Sequence, residues 1–352
     1  MEEPNVFIWK GGKEGGSERV AMAIAEGFRK HWKLIPTLGV FERSKTNFPQ
    51  IEVKRIFPEK LMGYNCVWGT YYLNKIGALK PFDIVFSHGG YFLKTKNNFY
   101  ACYESGDIER MLKLLPKISS LVSTPVTKLN LSMMRKADLV VVPSEELIDS
   151  FLKRHGIWKY RICSGSRVDI RIFKPIKIPK TNNKFSLLFV GRSSDARKNF
   201  DTLAKVCLKL SKKVELYIID SSKKKEKVGN LFFLGGVSTK ELAWWYNKCD
   251  LLVLPSFWEG LFPAVVLEAL ACEKPCLVSK YAVGRTLMEW LTIFDPFSKE
   301  DLERKILWVM KNYDEVKEKA KEGSRYIRKN FEINKVTKKM TTLILEEWGE
   351  KK

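Results

Sequence analysis

This 352-residue chain lacks most of the residue patterns that announce metal, disulfide or membrane-spanning chemistry. Its seven cysteines (Cys66, Cys102, Cys163, Cys207, Cys249, Cys272 and Cys276) form no CxxC pair and are odd in number. That excludes a zinc ribbon or disulfide framework and points to reduced thiols in an intracellular protein. No DxD-type carboxylate cluster is present to hold Mg²⁺ or Mn²⁺, so no metal site is expected. No apolar run approaches the ~18–20 residues that cross a bilayer. The opening MEEPNVFIWK carries acidic residues where a secretory signal has basic ones, and a strand-like run follows at once. The expected location is therefore cytoplasmic. Helix-turn-helix, RNP and zinc patterns are all missing, which argues against nucleic acid as a partner. Histidine is scarce, with only His31, His88 and His155.

What the chain has in excess is positive charge, +22 from 62 lysines and arginines against 40 acids. A lysine-rich solubilising surface, as in a hot-adapted protein, accounts for this as readily as an anionic substrate or an anionic membrane surface does. The basic residues are scattered along the whole length, so charge alone does not choose. Hydrophobic content of 45% and the length together fit two globular domains.

Strand-like and helix-like segments alternate throughout, the pattern of parallel sheets covered by helices. In the first half strands are expected at residues 5–10, 34–41, 83–88 and 138–144, with SERVAMAIAEGFRKH as a helix after the first. In the second half they are expected at 186–192, 214–220, 230–237, 250–256 and 275–280. Ser238 and Glu241 have capping-box spacing, and Pro263 fits the first turn of a helix. The stretch from Ser164, with two prolines and no helical period, reads as an interdomain connection. From Ser298 the chain reads as helical almost to its end.

Ligands of doubly wound folds sit at the carboxyl ends of strands, so those loops are the candidate sites. The first strand leads into WKGGKEGGSERV, where Gly15 and Gly16 let backbone approach a ligand and a helix start offers amides to phosphate. A tight strand-to-helix turn explains the same glycines. His31 and His155 fall near helix C-termini, as caps. His88 alone ends a strand. GRSSDARKNF places Arg192 and Lys198 on one loop beside a helix N-terminus, where two cations suit a diphosphate, with Arg197 as a bystander. A solvated basic loop is the alternative. DLLVLPSFWEGLFPAVVLEALACEKPC, from Asp250, puts Glu259 on a strand-exit loop and Glu268 inside the following helix. Carboxylates flanking a helix start suit a ligand that is part phosphate, part polyol. Apolar neighbours around Glu268 mean that its carboxylate requires a partner.

These motifs resemble, in order and over most of the chain, the retaining nucleotide-sugar glycosyltransferases of family four. The carriers are GGSERV, the strand-end His88, the GR…K element at Arg192 and Lys198, the FLGGVSTKEL loop and the FPAVVLEALA helix. One departure is clear. The family spaces its two glutamates eight apart, whereas Glu259 stands nine before Glu268, with the extra residue near Leu261. SGSRVD also carries Ser166-Arg167 where one small residue is usual.

The resemblance implies the GT-B fold, two Rossmann-like doubly wound domains facing across a cleft. The expected boundaries are 1–168 for an acceptor domain, 169–184 for a linker and 185–330 for a nucleotide-sugar domain. Residues 331–352 would form a C-terminal helix packing back toward the first domain. It implies transfer of a hexose from a UDP- or GDP-linked sugar to a glycan or lipid-linked acceptor, with retention and without metal or other cofactor. Gly15, Gly16, Arg192 and Lys198 would face the diphosphate, Gly236 and Val237 the base, and Glu268 the ribose. Phe262, Ala264 and Val265 line the helix start, while His88 and Glu259 are expected at the transferred sugar. The aromatic and basic residues of 55–80 and of KTKNNFY suit either a membrane-surface helix with a lipid-linked acceptor or a core helix with a solvated edge. A non-catalytic GT-B-like protein that binds sugar nucleotide or glycan is the alternative function.

Overall fold

The computed structural model describes residues 3–11, 16–57, 62–88, 98–102, 117–179 and 183–350. The chain divides into two compact units, Met1–Ser166 with Ile333–Lys352, and Arg167–Glu332.

The first unit is built on a seven-stranded sheet of strands β1 (Val6–Gly11), β2 (Thr37–Val40), β3 (Gln50–Glu52), β4 (Ile84–His88), β5 (Asn98–Cys102), β6 (Leu139–Val142) and β7 (Tyr160–Ile162). Their order is β3-β2-β1-β4-β5-β6-β7, parallel throughout. Helices α1 (Gly16–Trp32), α2 (Met62–Lys75) and α3 (Lys117–Lys136) connect them. A parallel sheet is apolar on both faces, and Phe7, Ile8, Val85, Phe86, Tyr100 and Val140 are fully buried accordingly.

The second unit repeats the plan. Its strands are β8 (Phe185–Val190), β9 (Val214–Ile219), β10 (Glu226–Val228), β11 (Leu231–Gly235), β12 (Leu251–Leu254), β13 (Cys276–Ser279) and β14 (Thr292–Phe294). They lie in the order β10-β11-β9-β8-β12-β13-β14, with β10 antiparallel to β11 and the other pairs parallel among the described residues. Helices α4 (Phe200–Lys209), α5 (Thr239–Lys248), α6 (Ala264–Ala271), α7 (Arg285–Met288), α8 (Lys299–Lys311) and α9 (Tyr313–Asn330) complete it. The capping box at Ser238 and Glu241 forms as the spacing predicts. Pro263 sits one position earlier than expected, at the N-cap of α6 with extended ψ, rather than in its first turn.

The final helix, α10 (Ile333–Gly349), packs along α1 within the first unit. There Trp32 Nε1 donates to Thr341 Oγ1 at 3.0 Å, and Lys30 Nζ to Asn334 Oδ1 at 2.5 Å. The connection after Ser166 belongs to the second unit. Asn247 of α5 holds it, accepting from the Ile176 amide at 2.8 Å and donating to the Lys174 carbonyl at 3.0 Å.

One device recurs at the amino ends of both sheets. An aspartate just before a central strand accepts the backbone N–H of its neighbour. Asp83 takes Asn5 N at 2.9 Å, Asp138 takes Phe99 N at 2.7 Å, and Asp250 takes Ser186 N at 2.8 Å. The strand starts are thus fixed, and the carboxyl ends are left for ligands.

The expected strands all form, but β3, β5, β7, β10 and β14 were not legible. Four are three-residue strands, too short for a period. The fifth, β5, hides in the polar KTKNNFY stretch. Phe99 and Tyr100 are 4% and 0% exposed, so these aromatics belong to a core strand rather than to a membrane-facing helix.

Candidate functional site

Both sheets reverse direction of growth between two adjacent strands, β1 and β4 in the first unit, β8 and β12 in the second. The loops leaving those strands flank a switch point, where an open α/β sheet has its ligand crevice.

In the second unit that place is densely built. Gly191 leaves β8 with φ +150, a conformation that side chains rarely adopt. A Cβ there would stand 3.5 Å from Lys198 Cε. Asp220, directly after β9 and only 1% exposed, fastens the loop. It accepts from Ser193 N and Oγ, both at 2.7 Å, and from Ser222 N at 2.9 Å and Oγ at 2.6 Å. Burial alone would raise its carboxyl, but these four donors outweigh it and hold the pKa below the ordinary value.

Four residues on, Arg197 folds back on Asp195, with Nη2 to Oδ2 at 2.6 Å. The pair raises the arginine, and although burial opposes it the Asp195 carboxyl is held low. Arg197 is therefore spent on the loop itself. Its carbonyl accepts from Phe257 N at 2.8 Å, which ties the loop after β8 to the loop after β12.

Across that tie Lys198 Nζ donates to Glu259 Oε1, the two side chains each 20% exposed. Ser256 Oγ, from a fully buried residue, donates to the same oxygen at 2.8 Å. Glu259 is thus aimed and held despite its shift in spacing. Arg192 is exposed, and its guanidinium makes no hydrogen bond or ion pair among the described residues.

Helix α6 starts beside this cluster. Phe262 is buried against Phe331, centroids 4.9 Å apart. Pro263 provides no side-chain cap, so the amides of Ala264 and Val265 have no acceptor within the helix. Both residues are half-buried. Leu261 is 6% exposed, and its carbonyl accepts from Gly284 N at 2.8 Å. Glu268 is 7% exposed and accepts from Tyr246 Oη of α5 at 3.0 Å. Complete burial, then the glutamate's charge, pushes the phenol well above its ordinary range, so it donates. Tyr246 is the partner that a carboxylate among apolar neighbours requires. At the end of β11, Gly236 is exposed and Val237 half-buried, with Ser221 Cβ 3.3 Å from where a Gly236 Cβ would be.

The structure therefore gathers Arg192, Lys198, Glu259, Ala264 and Val265 at one switch point and sets Glu268 and Gly236–Val237 on adjoining elements. His88 ends β4 in the first unit, half-buried, and Gly16 opens α1 there; Gly15 lies outside the described residues. Ser256, Asp220 and Tyr246 were not singled out from sequence. Only Asp220, closing a hydrophobic strand, left a local signal.

Residues 171–329 match the family described as glycosyl transferases, group 1. The match lies wholly within the second unit, Arg167–Glu332. An uncharacterized glycosyltransferase of Methanocaldococcus jannaschii is 29% identical over 130 residues, 36% of this chain and 35% of that protein. A phosphatidyl-myo-inositol mannosyltransferase of Propionibacterium freudenreichii is 30% identical over 152 residues, 42% and 39% of the two chains. The matched stretches thus span between a third and two-fifths of these relatives. Among solved structures, sucrose-phosphate synthase from Thermosynechococcus elongatus superposes with a TM-score of 0.81 at 14% identity, covering 99% of this chain and 100% of that one. WaaG, a glycosyltransferase involved in lipopolysaccharide biosynthesis, gives 0.74 at 16% identity, covering 96% and 99%. Anabaena HepE in complex with UDP-glucose gives 0.69 at 15%, covering 99% and 100%. These likenesses establish the GT-B fold, two parallel-strand α/β sheets with helices, as the motifs imply. None of the described helices is long and apolar enough to cross a membrane.

Proposed function

We propose that this protein transfers a hexose from a nucleoside-diphosphate sugar to a hydroxyl of a glycan or lipid-linked acceptor, with retention, in the manner of family four. The observation that carries this is the Lys198–Glu259–Ser256 cluster at the β8/β12 switch point, set between Arg192 and the uncapped start of α6. A departing diphosphate needs positive charge where its own charge grows. Arg192, Lys198 and the amides of Ala264 and Val265 supply it from the protein, a reading that calls for no metal. Glu268, held by Tyr246, takes the ribose, and the backbone at Gly236 and Val237 reads the base. Glu259, fixed by Ser256, faces the sugar, and His88, at the end of β4, is the sugar-contact candidate that the family resemblance implies. No residue is assigned as general base, because the diphosphate oxygen is the natural acceptor for the incoming hydroxyl's proton in front-face transfer. The relative named as a phosphatidyl-myo-inositol mannosyltransferase supports a lipid-linked acceptor, and peripheral attachment to the cytoplasmic membrane face is part of the same proposal.

The test is a thermal-shift screen against UDP, GDP and ADP and then their sugars, followed by product analysis of anomeric configuration with EDTA present. A shift with one nucleotide and an α-linked product from an α-linked donor are expected. A flat response to every nucleotide rejects the reading; tight binding with no turnover makes the protein a sugar-nucleotide binder instead.

A further inference from the structure

A built pocket lies in the first unit, lined from β2, β3 and α2. It is a cavity of about 630 Å³ beyond the carboxyl ends of β2 and β3, under helix α2, within the ~300–1,000 Å³ usual for small-ligand sites. Its construction is specific. Asn65 of α2, fully buried, accepts the amides of Ile56 at 3.1 Å and Phe57 at 2.9 Å and donates to the Phe57 carbonyl at 2.9 Å. That fastens the segment after β3 to the helix. Gly69 lets the helix sit close, since a Cβ there would lie 2.7 Å from Trp9 Cη2 of β1. The adjoining flank of α2 then presents Trp68 and Tyr72 to the cavity, their rings 5.9 Å apart.

The polar lining decides what the cavity suits. Arg55 is ion-paired with Glu42, and Lys54 and Glu52 complete the wall. In a chain of net charge +22, this wall is charge-balanced, two acids against two bases. A phosphate or an anionic lipid surface would select excess cations. Aromatic faces beside a paired carboxylate and guanidinium instead suit a ligand with apolar C–H faces and many neutral hydroxyls, donors to the carboxylate and acceptors for the guanidinium.

We propose that this pocket binds a neutral saccharide, stacked on Trp68 and Tyr72 and hydrogen-bonded by Glu42 and Arg55. That the saccharide is part of the acceptor rests on the proposed glycosyl transfer; the binding itself does not.

The full chain is tested by saturation-transfer NMR against the methyl α- and β-glycosides of glucose, galactose, mannose and N-acetylglucosamine, with vesicles of phosphatidylglycerol in a parallel arm. At least one glycoside should bind wild type. Trp68→Ala should weaken it about tenfold, the scale of an aromatic contact, and Trp68→Phe by about threefold or less. Glu42→Gln, which keeps the shape, should also weaken it and guards against a Trp68→Ala variant that fails to fold. Nucleotide-induced thermal shifts should be unchanged in these variants. Absence of any glycoside signal from wild type, or signals indifferent to both Trp68→Ala and Glu42→Gln, overturns the proposal. Vesicle binding that Trp68→Ala abolishes, without a glycoside response, overturns it in favour of a lipid surface. Glycoside binding without any nucleotide response supports the pocket while rejecting glycosyl transfer.

Discussion

The two sheets of this protein are pinned alike at their amino ends and finished differently at their carboxyl ends. Asp83, Asp138 and Asp250 do one job in both units, each catching an amide at the start of a neighbouring strand. At the carboxyl ends the second unit turns to ionic chemistry, with Asp220 and Lys198–Glu259 tying neighbouring loops together and Asp195–Arg197 fastening one of them. The first unit uses shape, with an amide clamp at Asn65, a glycine contact at Gly69 and an aromatic wall. A shared scaffold thus leaves the choice of ligand to whatever follows each strand. On the two proposals above, charge would select a diphosphate in one unit and a charge-balanced aromatic surface a polyol in the other.

Removing the ion-pair side of this contrast should have the largest effect. Lys198→Ala takes away the cation proposed for the diphosphate and should lower kcat by about 10²–10³-fold, the usual loss for one preorganised donor. Its unfolding midpoint should change little, because Ser256 still holds Glu259. Turnover of the sugar nucleotide selected by thermal shift, with urea unfolding alongside, checks both halves. Unimpaired turnover would remove Lys198 from the site.

The next effect is on stability and pH. Asp220→Ala strands four donors on Ser193 and Ser222 and should cost ~3 kcal/mol, less than four independent bonds because the serines reach water. Its folded-state pKa is lowered from the ordinary 3.8. The ionised group therefore stabilises the fold fully above that value, and the contribution disappears as pH falls through the lower, native pKa. Urea titrations should show the gap between wild type and Asp220→Asn constant near neutrality and closing only below about pH 4. A gap that is already closing at pH 6 would mean that another group is responsible.

The ionic half of this comparison was the more legible in sequence, and for a physical reason. Arg192 and Lys198 declare themselves because a strand, a glycine and two cations recur within one short loop. Glu268 stands out as a carboxylate in an apolar helix. Their supports do not, since Tyr246 is 22 residues from Glu268 in sequence and the two meet only when α5 packs on α6. Glu259 looked displaced by one residue, and only folding supplied Ser256 and Lys198 to hold it. In the first unit the aromatic run of α2 was readable as either core or surface. Folding resolves it as both, with Cys66, Gly69 and Leu73 inward and Tyr71 and Tyr72 outward. The GT-B plan was legible because alternation and motif order are spread over the whole chain, whereas three-residue edge strands leave no period to read.

The smallest expected effect tests the shape side. Gly69→Ala places a Cβ 2.7 Å from Trp9 Cη2, and an overpacked core contact costs ~1–3 kcal/mol. The strain can relax by moving α2 outward, which would carry Trp68 and Tyr72 away from Arg55. The variant should therefore unfold at slightly lower urea and lose glycoside binding beyond what its stability loss explains, while its nucleotide response stays intact. Asn65→Ala should do the same by a different route, releasing the Ile56 and Phe57 amides. If both variants bound glycosides as wild type does, the polyol site would not depend on the packing of α2, and the contrast between an ionic unit and a shape-built one would fail.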